Sequence, residues 1–206
     1  MILREQQNDS LMRCQPRVAI LAGGDELVRP GQMPQPGQIV SSNDLAIAAL
    51  AAEAGAVPRI LPIARDSEAS LRDSLASAAD ADLIVTIGGA SVGDHDLVGK
   101  VAADLGMDRA FYKIAMRPGK PLMAGTISRS AMLGLPGNPV SVMITFLKIA
   151  LPAINKLSGF LSPKEKNFIV TVDFNFKKKS GRTEFLRVKI TKNLNGKIKI
   201  KNYPNS

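Results

Sequence analysis

Two loops of this 206-residue sequence combine glycines with carboxylates. In the first, Gly23 and Gly24 precede Asp25 and Glu26 directly after an apolar run. Glycines let backbone N–H groups approach a ligand closely, and paired carboxylates supply the oxygen ligands that Mg²⁺ prefers. A tight turn with a helix-capping acid explains the same residues, so this loop alone leaves the choice open.

The second loop, GGASVGDHD, spans residues 88–96 and follows the clearest strand candidate of the chain. Its glycines and serine suit a loop that wraps a phosphate with backbone N–H groups at a helix N-terminus. The acids would repel a bare anion, which indicates a divalent cation between them. The candidate anion contacts are Gly88, Gly89, Ser91 and Gly93, and the candidate metal ligands are Asp94 and Asp96. A lone histidine such as His95 is more often structural than catalytic.

A basic turn, MRPGKP, follows at residues 116–121. Arg117 and Lys120 flank its Pro-Gly pair, and the proline restricts the turn so that both cations are held with little entropic loss. Such a pair suits a phosphate or another oxyanion, because arginine binds it through two hydrogen bonds and lysine as a point charge. An exposed, solvated turn is the competing interpretation.

A proline-rich loop, GLPGNPVS, occupies residues 134–141. Gly137 and Asn138 tolerate positive φ, and Pro136 and Pro139 restrict the chain on either side. The loop would then present Ser141 and neighbouring N–H groups to an anion at a helix N-terminus. A helix cap at Asn138 or Ser141 explains the same sequence.

The elements that must position these loops alternate between strand and helix. Apolar runs predict strands at RVAILA, VPRILPI, DLIVTI, FYKIAM, PLMAGTI and AMLGL. Helices are predicted after residue 41, at 66–81, at 97–105 and at 140–157, the last with a bend at Pro152. This order predicts a three-layer α/β domain with a parallel-dominated sheet, helices on both faces, and ligands beyond the carboxyl ends of the strands.

The charge is concentrated at one end of the chain. The net charge is +9, yet residues 1–150 hold 14 basic and 15 acidic side chains, whereas residues 151–206 hold 13 basic and 3 acidic ones. We therefore predict a loose lead-in at 1–16, a catalytic α/β domain at 17–158 and a small, basic, incomplete antiparallel β domain at 159–206. FIVTVDFNF, EFLRVKI and KIKIK are its strand candidates.

Composition excludes several classes of protein. A hydrophobic content of 45% excludes a mostly disordered chain. One cysteine excludes a disulfide framework, and one histidine excludes zinc sites with several histidines. No apolar run approaches the ~20 residues of a membrane span, and no signal peptide is recognisable, so we expect a cytoplasmic protein without a membrane partner.

Together and in this order, the loops form a specific pattern. GGDELVRPG, Ser42–Asn43, GGASVGDHD, MRPGKP and GLPGNPVS closely resemble the signature series of the molybdopterin molybdenumtransferase family, the MoeA and gephyrin E-domain type. The resemblance covers about residues 17–158. It continues more weakly into 163–201, where GRTEFLRV looks like that family's C-terminal module.

The resemblance implies a function and a set of residues. It implies an enzyme that inserts molybdate into adenylylated molybdopterin with the help of Mg²⁺, releases AMP and forms a homodimer. The implied catalytic residues are Asp25, Glu26, Asp94, Asp96 and Lys120, and the implied metal ligands are Asp25, Glu26, Asp66, Asp94 and Asp96. The implied cofactor-binding residues are Gly88, Gly89, Ser91, Gly93, Arg117, Lys120, Pro136, Gly137, Asn138, Pro139 and Ser141.

Two departures from the family pattern affect the expected activity. The family usually has Thr-Gly-Asp-Glu where this chain has Gly23 and Gly24 before the acids, so one hydroxyl is missing. Family members also carry two further domains before the catalytic one and continue beyond this β module. The chain therefore resembles a fragment truncated at both ends, and we expect weak binding of the pterin nucleotide with little or no transferase activity.

Three alternatives remain at the level of sequence. A molybdopterin adenylyltransferase of the same superfamily usually has a different glycine-rich loop and no basic β unit. The basic end of the chain, with aromatics such as Phe174 and Tyr203, could bind nucleic acid, although alternating aromatics are more often the core of a small barrel, so no nucleic-acid partner is expected. The third alternative is a non-catalytic, pterin-binding remnant.

Overall fold

The computed structural model describes residues 15–89, 96–160, 170–172, 174–177, 180–192 and 198–203. The chain divides into two compact units. The first comprises Met1–Ile114 and Pro118–Ser162, and the second comprises Ala115–Arg117 and Pro163–Ser206. Ser91, Gly93, Asp94 and His95, all in the second glycine-rich loop, lie outside the described residues.

The elements are numbered in chain order across both units. They are β1 Arg17–Ala22, β2 Leu27–Val28, β3 Ile39–Val40, α1 Asn43–Glu53, β4 Val57–Ile60, α2 Glu68–Ser77, β5 Leu83–Ile87, α3 Leu97–Asp104, β6 Asp108–Tyr112, β7 Met116–Arg117, β8 Met123–Ile127, β9 Ser130–Leu135, α4 Pro139–Thr145, a π-helical segment Phe146–Ala150, α5 Leu151–Leu157, β10 Thr171–Val172, β11 Thr183–Glu184, β12 Val188–Lys192 and β13 Ile198–Asn202.

Six strands of the first unit form one sheet in the order β4-β1-β5-β9-β8-β6. The pairs β4–β1, β1–β5 and β5–β9 are parallel, whereas β9–β8 and β8–β6 are antiparallel. The antiparallel edge follows from chain connectivity, because only Ser128 and Arg129 separate β8 from β9, and a parallel crossover needs a dozen residues or more. The predicted parallel-dominated sheet is confirmed.

Helices cover both faces of this sheet, as predicted. On one face, Ile20 and Val85 pack with Ile47 of α1 and with Phe146 and Ile154 of the last helical run. On the other face, Leu21 and Ile84 pack with side chains of α2 and α3, among them Leu71, Leu75 and Val101. The central strands β1 and β5 are therefore buried on both faces, which explains their continuous apolar runs.

The predicted strand FYKIAM does not form as one element. Residues 108–112 join the large sheet as β6, and Met116–Arg117 pair as β7 with Thr183–Glu184 of the second unit. The interruption falls at Lys113, whose φ of 66° lies in the left-handed region and ends the extended conformation. In the second unit β12 and β13 pair antiparallel, as predicted, whereas the short pairs β10–β13 and β11–β7 are parallel.

The helix predicted at 140–157 forms as three consecutive segments rather than as one continuous α-helix. A π-helical segment separates α4 from α5 and ends two residues before Pro152, which lacks the N–H that a regular α-helix needs. Within the part of the chain that the structure describes, Pro139–Leu157 is the one helix long and apolar enough to cross a membrane. This corrects the expectation that no apolar run approaches that length. A core helix passes the same test; Val142 and Phe146 are completely buried, although only 28% of the apolar window is buried.

Candidate ligand-binding cleft

A cleft of about 590 Å³ opens at the carboxyl ends of β1 and β5. The loops that follow these two strands line it, together with residues 39–43 and the loop after β9. This is the position at which open parallel α/β sheets bind ligands. The sheet therefore brings three of the four predicted loops to one place.

Three glycines form the floor of the cleft. An added Cβ on Gly88 would lie 2.9 Å from the carbonyl oxygen of Gly23, and one on Gly137 would lie 3.4 Å from the Cα of Gly88. Gly88 also has a φ of 81°, in the left-handed region that favours glycine. The three loops therefore approach each other through their backbones, and we call Gly23, Gly88 and Gly137 the glycine floor.

The backbone N–H groups of the first loop are used within the fold. Gly23 N–H donates to Ile87 O at 3.1 Å, and Gly24 N–H donates to Ala64 O at 3.1 Å. These two N–H groups are therefore used within the fold, and the approach of a ligand to the backbone of this loop stays a prediction. These two hydrogen bonds continue the backbone pairing of β1 beyond Ala22, and they fix the chain directly before Asp25 and Glu26.

Asp25 and Asp66, 41 residues apart in sequence, are brought together by reciprocal hydrogen bonds. The Asp25 N–H donates to Asp66 Oδ2 at 3.3 Å, and the Asp66 N–H donates to Asp25 Oδ1 at 3.2 Å. Both side chains are exposed, and Asp66 lines the cleft together with Glu26. In each carboxylate the second oxygen accepts no hydrogen bond from the residues that the structure describes.

These carboxylates fit a divalent cation that shares its ligands with a substrate. Within the described ranges, no three histidine, cysteine or acidic side chains are close enough together to form a metal site from the protein alone. Mg²⁺ is commonly bound by one or two carboxylates, with waters and substrate phosphates completing its octahedron. The pair of Asp25 and Asp66 has the oxygens that such a site needs.

Asp96 is engaged elsewhere. Its Oδ1 accepts a hydrogen bond from Gly99 N–H at 2.9 Å and so caps α3. Burial raises the pKa of Tyr112, and the charge of Asp96 together with its hydrogen bond to the tyrosine raises that pKa further. Asp96 lines a second pocket rather than the cleft, and its predicted role as a metal ligand stays a prediction.

The second pocket, of about 330 Å³, has cationic walls. Lys113 Nζ lies 4.7 Å and Arg109 Cζ 5.6 Å from the centre of the Tyr112 ring, which are cation–π distances. Lys100 also lines the pocket, and its hydrogen bond to Glu68 raises the pKa of the lysine and lowers that of the glutamate. Sequence reasoning missed Lys113, because nothing in FYK indicates a residue with positive φ.

The two cations of the predicted basic turn belong to different units. Arg117 lies in β7, where its carbonyl accepts a hydrogen bond from Phe185 N–H at 2.8 Å. Lys120 lies in the first unit, where its carbonyl accepts one from Ile114 N–H at 3.0 Å. Both side chains are exposed, and their binding of an oxyanion stays a prediction.

The proline-rich loop is anchored at both ends. Asn138 caps α4 by accepting hydrogen bonds from Val140 N–H at 3.1 Å and Ser141 N–H at 3.4 Å, so its capping interpretation is confirmed. Gly137 and Pro139 line the cleft, whereas Pro136 is buried and Ser141 half-buried.

A contact that sequence reasoning missed links this loop to α1. Asn43 Nδ2 donates to the carbonyl oxygen of Gly137 at 2.9 Å. Asn43 and Gly137 lie 94 residues apart, and both line the cleft. The first turn of α1 is therefore fixed relative to the glycine floor.

The fold and the cleft define a three-layer α/β domain with a cleft at the carboxyl ends of its parallel strands. Residues 19–156 match the family model described as "probable molybdopterin binding domain", and the chain belongs to that family.

Relatives with established names carry the same domain. The chain is 44% identical over 158 residues to the molybdopterin molybdenumtransferase of Nostoc sp., covering 75% of this chain and 36% of that protein. It is 36% identical over 186 residues to the molybdopterin molybdenumtransferase of Haemophilus influenzae, covering 89% of this chain and 46% of that protein. The chain therefore spans less than half the length of these relatives.

A solved structure supports the same placement. The molybdopterin biosynthesis MoeA protein from Pyrococcus horikoshii superposes with a TM-score of 0.76 at 29% identity. The superposition covers 93% of this chain and 46% of that one.

Proposed function

We propose that this chain is the pterin-binding part of a molybdopterin molybdenumtransferase, which inserts molybdate into adenylylated molybdopterin and releases AMP. The observation that supports this proposal most directly is the cleft at the ends of β1 and β5, with a glycine floor, Glu26 and Asp66 in its lining, and Asp25 hydrogen-bonded to Asp66. The name of relatives up to 44% identical supports the choice of reaction.

The glycine floor suits one part of this substrate. A floor made of peptide groups, without side chains, lets a flat ring system or a phosphate approach the backbone closely. Gly88, Gly89 and Gly137 line the cleft, and we assign them to pterin-nucleotide binding. Ser91, Gly93, Arg117, Lys120, Pro136, Asn138, Pro139 and Ser141 complete the proposed binding set.

The acidic rim suits the charged part of the substrate. We propose that Asp25 and Asp66 hold Mg²⁺, with Glu26, Asp94 and Asp96 as further candidates. The cation would offset the charge of the phosphates and of molybdate, whose own charges repel each other. The carboxylates orient the ligand, and Lys120 is assigned to contact the anion as a point charge.

The exposed helical surface suits a homodimer. Helix α1 is apolar on every side, yet its Leu45 is 45% exposed, and Leu147 on the neighbouring helical run is 41% exposed. A helix that is apolar all round is normally covered on every side, and a second copy is the usual cover in soluble oligomers. We propose that this face joins two copies of the chain in the cytoplasm.

Calorimetry with adenylylated molybdopterin tests the function directly, with and without Mg²⁺ and molybdate. We expect binding that Mg²⁺ strengthens, and we expect Asp66→Asn to remove most of that strengthening. Asp73→Asn is the matched control, because Asp73 is an exposed acid that does not line the cleft.

Other outcomes identify the alternatives. A chain that binds nothing in any condition would be a non-catalytic remnant. A chain that forms adenylylated molybdopterin from molybdopterin and ATP would be an adenylyltransferase. Equal Mg²⁺ dependence in Asp66→Asn and the unaltered chain would contradict the proposed metal site.

A further inference from the structure

One wall of the cleft is a segment that leaves the main fold and returns to it. We call residues 27–41 the arm. Its two ends pair as β2 and β3, and the hydrogen bonds Ile39 N–H to Glu26 O at 2.8 Å and Ser41 N–H to Val28 O at 2.9 Å close it. Leu27, Ile39, Val40 and Ser41 line the cleft. The position of the arm therefore sets the width of the cleft on this side.

Arg29 joins the arm to the rest of the first unit. Its guanidinium donates to the Asp44 carboxylate in the first turn of α1 and to the carbonyl oxygen of Leu61 after β4. The other Asp44 oxygen accepts Ser41 Oγ–H at 2.9 Å and Leu45 N–H at 3.0 Å. Both carboxylate oxygens of Asp44 are therefore used.

Burial makes this ion pair different from a surface pair. The Asp44 side chain is completely buried, and that of Arg29 is 31% exposed. A buried carboxylate that loses its cation strongly destabilises the folded protein. Letting water reach Asp44 would relieve that cost, and the arm is the element that would have to move to admit the water.

The first turn of α1 also connects this ion pair to the glycine floor of the cleft. Asn43, directly before Asp44, lines the cleft and donates its side-chain hydrogen bond to Gly137 O. Neither Arg29 nor Asp44 lines the cleft. Any effect of these two residues on a ligand must therefore act through the arm and through Asn43.

We propose that Arg29 and Asp44 are positioning residues: their ion pair holds the arm against α1 and thereby sets the affinity of the cleft for its ligand. The identity of the ligand rests on the proposed function, whereas the effect on the arm does not.

Hydrogen exchange and calorimetry on the whole chain together test the positioning role of Arg29 and Asp44. In Arg29→Met we expect amide exchange in residues 27–41 to rise at least about tenfold, because the arm opens more often. We expect the affinity for adenylylated molybdopterin to fall by about tenfold or more as the wall is lost. Exchange in β1 and β5 should rise much less than exchange in the arm.

The chain offers a matched control with the same chemistry. Arg59 also donates to an aspartate, Asp80, and to a backbone carbonyl, that of Ser77, but both charged side chains are about half exposed. Exposed pairs of this kind contribute little to stability, because water and salt screen them. Arg59→Met should therefore leave both arm exchange and affinity within about twofold of the unaltered chain.

A second variant covers the case in which Arg29→Met does not fold. Asp44→Asn removes the buried charge and leaves the unpaired cation on Arg29, which already reaches solvent. This variant should fold, with a faster-exchanging arm and a weaker affinity. Arg29→Lys keeps the charge but has no second branch for Leu61 O, so it should restore part of the affinity.

The outcomes separate this proposal from the function proposed above. If exchange rises equally across β1, β5 and the arm, the pair only stabilises the fold and the proposal is overturned. If the arm loosens but the affinity stays the same, the positioning role is overturned and the proposed function stands. If the unaltered chain binds no ligand, the proposed function fails, and so does the link from the arm to affinity.

Discussion

The two pockets of the first unit are built from different parts of the chain. The floor of the large cleft is formed by the backbones of Gly23, Gly88 and Gly137, and Gly88 lies too close to Gly23 O to carry a Cβ. The second pocket consists of long side chains, with Lys113 and Arg109 around the ring of Tyr112. The strand positions therefore fix the shape of the cleft, whereas side-chain conformations fix the shape of the second pocket.

This difference predicts how each pocket responds to substitution. A change in the glycine floor must move backbone, and the backbone there lies in the loops that follow β1, β5 and β9 of the buried sheet. A change in the second pocket moves side chains that already contact solvent. Substitutions in the cleft should therefore alter stability and binding together, and substitutions in the second pocket should alter local properties alone.

The largest effect is expected for Gly88→Ala. Its Cβ would lie 2.9 Å from Gly23 O at a φ of 81°, so both backbone strain and a backbone clash oppose it. We expect the free energy of unfolding to fall by about 2–4 kcal/mol and ligand binding to be lost. Urea unfolding and calorimetry measure the two effects.

Gly106→Ala separates strain from the clash. Gly106 has nearly the same φ, 82°, and an added Cβ would meet nothing within 4 Å. The loss should be about 1 kcal/mol, from backbone strain alone, with unchanged binding. Equal losses in both variants would show that the contact between Gly88 and Gly23 contributes nothing.

Sequence patterns predicted the strands and loops around the cleft better than the long-range contacts that hold them in place. Buried strands such as Leu83–Ile87 and capping residues such as Asn138 have local signals, because periodicity and turn chemistry act within a few residues. The resemblance to a known family also placed Asp66 beside Asp25. The links Asn43–Gly137 and Arg29–Asp44 were missed, since they join polar residues far apart whose local sequence serves a helix start or a loop equally well.

A smaller effect is expected for Lys113→Gly in the second pocket. Glycine relieves the strain of a φ of 66° but makes the unfolded chain more flexible, and the cation–π contact with Tyr112 is lost. These contributions are each about 1 kcal/mol and oppose one another, so the free energy of unfolding should change by less than about 1 kcal/mol. Urea unfolding measures this change. Ser128→Gly is the comparison, because Ser128 is the other described non-glycine residue with positive φ. A loss as large as that of Gly88→Ala would remove the distinction between the two pockets.

The smallest effect concerns the ionisation of Tyr112. The sequence contains two tyrosines, so absorbance titration of a Tyr203→Phe variant follows Tyr112 alone. Burial raises its pKa above the usual 10.0 and Asp96 raises it further, so Asp96→Asn should lower the midpoint without returning it fully to that value. Because the unfolded chain ionises first, the folded state should lose stability only as the pH rises above about 10 and through the raised pKa. A midpoint that Asp96→Asn leaves unchanged would show that the carboxylate serves α3 as a cap and has no influence on the pocket beside it.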